Sequence, residues 1–208
     1  GVTLAASQTS FGCAHVGNNT VTLTVSDPSG NTATCTSTVT VQDVTLPIPA
    51  CKNITVQLNS LGTVSITAAQ IDNGSNDACG VTLTASPTTF GCANTGANTV
   101  TLTVKDPSLN TSTCTSTVTV QDLVAPVAIC KNITVNLSAA GAASIVGADV
   151  NNGSNDACGI ATLSVSPNSF TCANVGPNGV TLTVTDTKGN VSTCGAVVTI
   201  QDVTLPNA

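Results

Sequence analysis

Asn98-Thr-Val-Thr-Leu-Thr-Val-Lys105 is the stretch that decides the fold. From Val100 to Val104 apolar and threonine side chains alternate without a break, so Val100, Leu102 and Val104 share one face of an extended chain and the threonines the other. Such a segment is a half-buried strand. Directly after it, Asp106-Pro-Ser-Leu-Asn110 supplies a capping Asp and a Pro that presets φ, so the chain turns there. Residues 113–121 then resume the alternation, and residues 52–58, 62–67 and 81–86 read as strands by the same pattern. Five to seven short strands in about 80 residues, with no helical period, predict an all-β, antiparallel β-sandwich of immunoglobulin-like type.

The same text recurs along the chain. Cys51-Lys-Asn-Ile-Thr-Val returns at Cys130, 79 residues later, and Asn73-Gly-Ser-Asn-Asp-Ala-Cys79-Gly returns at Asn152, at the same interval. Phe11, Phe90 and Phe170 recur in step with Cys13, Cys92 and Cys172 and with Cys35, Cys114 and Cys194. One module is therefore used in tandem. Residues 44–122 and 123–202 read as complete modules, residues 1–43 as the C-terminal part of an earlier one, and residues 203–208 as the start of a linker to another. The expectation is a window on a longer array, with material outside this sequence completing residues 1–43. The last copy carries one extra residue between Cys158 and Cys172, and a one-residue insertion in a strand needs a bulge, expected near Ala161.

Composition narrows the function. All ten acidic residues are Asp, all four basic ones are Lys, and the formal charge is −6. An acidic chain lacks the basic footprint that nucleic-acid binding requires, and no apolar run reaches the length needed to insert in a bilayer. With 41% hydrophobic residues the chain should fold.

Ten cysteines without a Cys-x-x-Cys pair point to disulfides in an oxidising, extracellular or cell-surface setting. Modules this small bury limited apolar surface, and disulfides make up the difference. Cys51 opens the first strand of a module and Cys114 the last, and these strands run side by side and parallel in such sandwiches, so Cys51 is expected to bond Cys114, and Cys130 to bond Cys194. Cys79 and Cys92 bracket one strand and its turn, which leads to Cys79–Cys92 and Cys158–Cys172. Cys13 and Cys35 would then find partners in the absent half-module, or pair with each other.

Catalysis has little support. His15 is the sole His, and its counterparts Asn94 and Asn174 cannot act as bases, which excludes a repeated Ser-His or Cys-His pair. No cofactor is required by the sequence. Calcium is the candidate ion, because Asp43 and Asp122 recur in the linkers, Asp77 and Asp156 recur beside a Cys, and hard cations want several oxygen ligands. Asn-x-Ser/Thr sequons mark Asn18, Asn53, Asn73, Asn110, Asn132, Asn136, Asn152 and Asn190 as candidate glycan acceptors.

Cys51-Lys-Asn-Ile-Thr-Val, Asn76-Asp-Ala-Cys-Gly, Phe90-Gly-Cys, Asn98-Thr-Val-Thr-Leu-Thr-Val-Lys-Asp106 and Thr113-Cys-Thr-Ser-Thr-Val-Thr-Val together resemble the hyalin-repeat (HYR) module, in the tandem form of long secreted bacterial surface proteins. The resemblance implies an immunoglobulin-like fold, a role in adhesion or extracellular scaffolding, and no catalytic residues. The expected function is a disulfide-stapled, glycosylated structural repeat of an extracellular fibre or stalk. Its partners would be neighbouring modules of the same chain, further copies in a fibril, and glycans. The alternative is an adhesive module that binds carbohydrate, with calcium.

Overall fold

The computed structural model describes residues 1–204; the expected linker at 203–208 lies mostly outside the described residues. The first copy contributes β1 (Thr3–Ala6), β2 (Gly17–Ser26) and β3 (Thr32–Val41), paired antiparallel in the order β1-β2-β3. The second contributes β4 (Ile54–Gln57), β5 (Thr63–Ser65), β6 (Thr82–Ser86), β7 (Thr89–Gly91), β8 (Gly96–Lys105) and β9 (Thr111–Gln121). The third contributes β10 (Ile133–Asn136), β11 (Ala142–Ser144), β12 (Ile160–Ser166), β13 (Ser169–Thr171), β14 (Gly176–Asp186) and β15 (Val191–Gln201). Each complete copy has a four-stranded sheet, β4-β9-β8-β6 or β10-β15-β14-β12, and a two-stranded one, β5-β7 or β11-β13. The protein is thus all-β, built of tandem immunoglobulin-like sandwich modules.

Alternation dictates the core. In β14 the inward residues Val180, Leu182 and Val184 are buried, and they meet Val198 and Ile200 of β15, Val165 of β12 and Phe170 of β13. The matching Val100, Leu102 and Val104 of β8 have no exposed surface, as the period-two reading requires. In the first copy the equivalent Val21, Leu23 and Val25 stay half-exposed, because no second sheet covers β1–β3 among the described residues. First and last strands of the third copy run parallel, with Ile133 opposite Val198. Pairing of β12 with β14 slips between Ile160 and Thr162, so the extra residue is a bulge at Ala161.

Two features escape the sequence reading. β7 and β13 have three residues each, and one-turn helices α1 (Ala68–Ile71) and α2 (Gly147–Val150) follow β5 and β11. All are shorter than any window in which a period can be detected. The strand expected over 62–67 stops at Ser65, because the Thr67 N–H donates to the Gln70 side chain at 2.7 Å and opens α1 instead.

Two compact units divide the chain, and they do not follow the repeat. One comprises Gly1–Ile54, Ile66–Thr88 and Thr99–Thr117; the other comprises Thr55–Ser65, Thr89–Asn98 and Val118–Ala208. The first unit holds the first copy with part of the second, and the other holds the remainder of the second with the third, so each contains one repeat junction.

Candidate functional site at the repeat junction

Four disulfides are formed: Cys13–Cys79, Cys51–Cys114, Cys92–Cys158 and Cys130–Cys194. Cys51–Cys114 and Cys130–Cys194 lie within a copy and tie the segment three residues before its first strand to its last strand. Beside the former, the buried Ser116 hydroxyl donates to the Lys52 carbonyl at 2.6 Å. The expected Cys79–Cys92 and Cys158–Cys172 bonds are corrected. The seven-residue β12 lies between Cys158 and Cys172 and carries the chain roughly 23 Å, whereas bonded cysteines have Cα atoms within about 7 Å; β6 separates Cys79 from Cys92 in the same way. Cys79 turns back instead to Cys13 of the preceding copy, and Cys158 to Cys92, with Cα–Cα distances of 5.2 Å in both bonds. Cys13 therefore needs no partner outside this sequence and does not bond Cys35; Cys35 and Cys172 are free and exposed. No spacing rule separates these connectivities, since four cysteines per copy also permit bonds that skip to the next one.

Local chemistry brings the bonded sulfurs together. The 3₁₀ turn Cys92–Asn94 is held by Asn94, whose Oδ1 accepts the Gly91 N–H at 2.9 Å. Asn174 accepts the Thr171 N–H at 2.9 Å, and in the first copy His15 Nδ1 accepts the Gly12 N–H at 3.0 Å. His15 thus accepts the hydrogen bond that Asn94 and Asn174 accept in the later copies. On the other side of the bond, Asp156 Oδ1 accepts the Cys158 N–H at 2.7 Å, as Asp77 does for Cys79 at 2.8 Å. These short Asx turns aim each cysteine at the preceding copy.

A second tie uses the Asp-x-x-x-Asn turn. Asp186 Oδ1 accepts the Asn190 N–H at 2.9 Å and its Oδ2 accepts Asn190 Nδ2 at 2.7 Å. The oriented Nδ2 also donates to the carbonyls of Asp122 at 3.2 Å and Val124 at 3.3 Å. Asn110 repeats this, reaching Asp106 Oδ2 at 2.7 Å and the Asp43 carbonyl at 3.1 Å. Burial pushes the Asp186 carboxyl up, but hydrogen bonds from the Asn190 side chain and the Lys188 and Asn190 amides outweigh it and hold the group below the usual carboxylate range. In the linkers, Ile48 and Val127 exchange backbone hydrogen bonds with Asn76 and Asn155, while Pro47 and Pro126 are buried. Side chains of Val44, Leu46, Ile48, Leu123 and Val127 remain exposed, so backbone pairing fixes the linkers more than apolar packing does.

The candidate calcium residues meet in pairs. A carboxylate oxygen of Asp43, one of Asp77 and the Cys79 sulfur lie within 4.8 Å of one another, as do those of Asp122, Asp156 and Cys158. Both sulfurs are in disulfides, which leaves two carboxylates per junction as donors. Asp43 Oδ2 accepts the Ser108 hydroxyl at 3.5 Å. At the corresponding place in the next copy stands Lys188, and Asp122 Oδ2 is a buried oxygen without a hydrogen-bond partner. The sequon asparagines are scattered over the surface. Asn18, Asn53, Asn73, Asn132, Asn136 and Asn152 are exposed, whereas Asn110 and Asn190 are half-buried with Nδ2, the atom a glycan would occupy, committed to the ties above. No helix among the described residues is long and apolar enough to cross a membrane.

Residues 4–41 match the family model of the HYR domain. Among curated proteins, none matches the chain in sequence. Similar solved structures include protocadherin gamma B7 extracellular cadherin domains 1–4, at 10% identity over 97% of this chain and 66% of that one, with a TM-score of 0.40. Human mucin-like protocadherin EC1-2 is 14% identical over 73% of this chain and 97% of that one, with a TM-score of 0.39, and titin domains I67–I69 are 8% identical over 88% and 75%, with a TM-score of 0.33. The chain spans less than two thirds of the length of other protocadherin fragments it matches.

Proposed function

We propose that this protein is a non-catalytic structural repeat of an extracellular, cell-surface fibre, stalk or adhesin, in which each module is covalently locked to the next. One observation carries the reading: the loops closed by Cys13–Cys79, Cys51–Cys114, Cys92–Cys158 and Cys130–Cys194 overlap in succession. No residue from Cys13 to Cys194 lies outside a closed loop. Overlapping staples limit how far the chain can lengthen under tension, which is a property that suits a tether. The HYR match to residues 4–41, a stretch whose sequence pattern recurs in the two later copies, supports the extracellular setting, as do cysteines that would stay reduced in a cytosol. Exposed sequons offer sites for a glycan coat over sheet faces that carry almost no charge.

The experiment is single-molecule pulling between the chain ends, with and without reductant. With all bonds intact, tension passes through the 13 residues from Cys79 to Cys92 and the 28 from Cys130 to Cys158, in place of the 181 from Cys13 to Cys194. Reduction should therefore release roughly 140 residues, or about 490 Å of extra length at about 3.5 Å per residue. Equal extension under both conditions would remove the mechanical reading.

A second reading, that calcium supports the junctions, is favoured by one observation, the buried and unpartnered Asp122 Oδ2 beside Asp156. Two carboxylates and water make a weak site, in the millimolar range typical of extracellular modules.

A further inference from the structure

The third copy presents the same half of a junction that the second copy has filled. In the filled junction the turn Asn59–Gly62 closes through Gly62 N–H to Asn59 O at 2.8 Å, and Gly62 sits in the left-handed region at φ +70°. Its missing Cβ matters twice over: an added Cβ would lie 2.7 Å from the Cys92 sulfur and 3.1 Å from Ala157 Cβ. The glycine thus lets the Asp156-Ala-Cys158 loop press against this turn and bond Cys92. In the third copy, Gly141 N–H closes on Ser138 O at 2.8 Å, Gly141 has φ +72°, and its Cβ would lie 2.8 Å from the Cys172 sulfur. Cys172 Sγ stands 3.7 Å from the Gly141 carbonyl, the distance that separates Cys92 Sγ from the Gly62 carbonyl. Asp202 Oδ1 accepts the Thr204 N–H at 3.0 Å, as Asp122 Oδ1 accepts that of Val124 at 3.1 Å, so the chain makes the same Asx turn directly after the last strand.

What differs is the occupant. Where Ala157 and Cys158 fill the second copy's face, the third copy has an open cavity of about 470 Å³ lined by Ser138, Gly141, Cys172, Asp202 and Thr204. We infer that this face is a docking site for the Asn-Asp-Ala-Cys-Gly loop of another module of the same repeat, joined through a disulfide to Cys172. The inference rests on the tandem-repeat reading above and deepens it by naming the partner's contacting segment. Cys35 has no such claim: it belongs to the series of Cys114 and Cys194, whose bonds lie within a copy.

The bond forms by exchange with a small-molecule disulfide. The Cys172 thiolate attacks oxidised glutathione and expels one glutathione thiolate. The loop cysteine then attacks the mixed disulfide at the Cys172 sulfur and expels the second. Two protein thiols become one disulfide, and one oxidised glutathione becomes two reduced ones.

The test uses the full chain in a glutathione redox buffer with the synthetic peptide Asn-Gly-Ser-Asn-Asp-Ala-Cys-Gly, or a scrambled peptide of equal composition, each cysteine's adduct being read by mass spectrometry. The inference requires Cys172 to capture the loop peptide at least about tenfold over the scrambled one at equilibrium, while Cys35 takes both equally. Equal capture of both peptides at Cys172, or the same preference at Cys35, overturns it. A chain that discriminates at Cys172 but extends equally with and without reductant would sink the mechanical reading and leave the docking site; the opposite pair of results would do the reverse.

Discussion

Asn190 Nδ2 donates to the backbone carbonyl of Asp122 at 3.2 Å, across 68 residues of sequence, while another of its acceptors, Asp186 Oδ2, lies only four residues away. The short-range bond orients the amide and the long-range one uses that orientation to hold the preceding copy. Asn31 has the first bond, to Asp27 Oδ2 at 2.9 Å, without the second. The pair therefore separates the two jobs. Asn190→Ala should lower stability by about 1–3 kcal/mol, since it also strands buried acceptors, and Asn31→Ala by clearly less. Thermal unfolding of the two variants checks this; equal effects would mean that the contact to Asp122 adds nothing.

The cross-copy bond makes a sharper demand. Cys92–Cys158 closes a loop of 66 residues, and the chain-entropy relation gives about 4 kcal/mol for a loop of that size, an upper value because native strain subtracts from it. The double variant Cys92→Ser/Cys158→Ser should lose a large part of that in a denaturant titration. Non-reducing peptide maps should recover fragments joined as 13–79 and 92–158. Recovery of 79–92 or 158–172 fragments would contradict the connectivity.

How far the sequence foretells these features depends on the range of the interaction. Val100-Thr-Leu-Thr-Val104 announces its own strand because burial alternates at the period of the pleat, and the insertion at Ala161 announces its bulge because a one-residue slip would expose Leu163 and Val165. Pairing of Cys51 with Cys114 follows from which strands are neighbours. The partner of Cys79 does not, because it depends on how one copy meets the next, and a periodic sequence holds the same residues at every junction. Asn110 and Asn190 mislead for a related reason: a sequon specifies an acceptor, but only the fold reveals that the amide nitrogen is already engaged.

Acid should loosen these ties. The Asp27 carboxyl is held below its ordinary range by the Asn31 side chain, that of Asp72 by Ser75, and that of Asp186 by Asn190 and backbone amides against the opposing effect of burial. A carboxyl whose folded pKa lies below its unfolded value of about 3.9 contributes fully above that value and loses its contribution as pH falls through the folded one. The melting midpoint should therefore be level from pH 7 to about 5 and drop below about pH 4. Asp186→Asn should shrink the drop; a midpoint unchanged down to pH 2 would show that these carboxylates carry no linkage.

Asp122 and Asp156 set up the most discriminating measurement. Asp122 is 6% exposed, its Oδ2 has no hydrogen-bond partner, and a second carboxylate lies within 4.8 Å. A buried acceptor without a partner costs stability, and a cation held between the two carboxylates would supply that partner. Millimolar calcium should raise the melting midpoint of the unaltered chain, because it binds the folded form alone. Asp122→Asn should raise the midpoint in the absence of calcium, by replacing the unpartnered acceptor with an amide donor near the Asp156 carboxylate, and should also reduce the response to added calcium, by removing a ligand. Asp43→Asn offers the contrast, since Asp43 is less buried and its Oδ2 already accepts the Ser108 hydroxyl; its calcium-free midpoint should change less. If Asp122→Asn instead destabilises the chain without calcium, Lys188, which lines the same cavity as Asp122, neutralises the carboxylate, and the calcium reading falls with it.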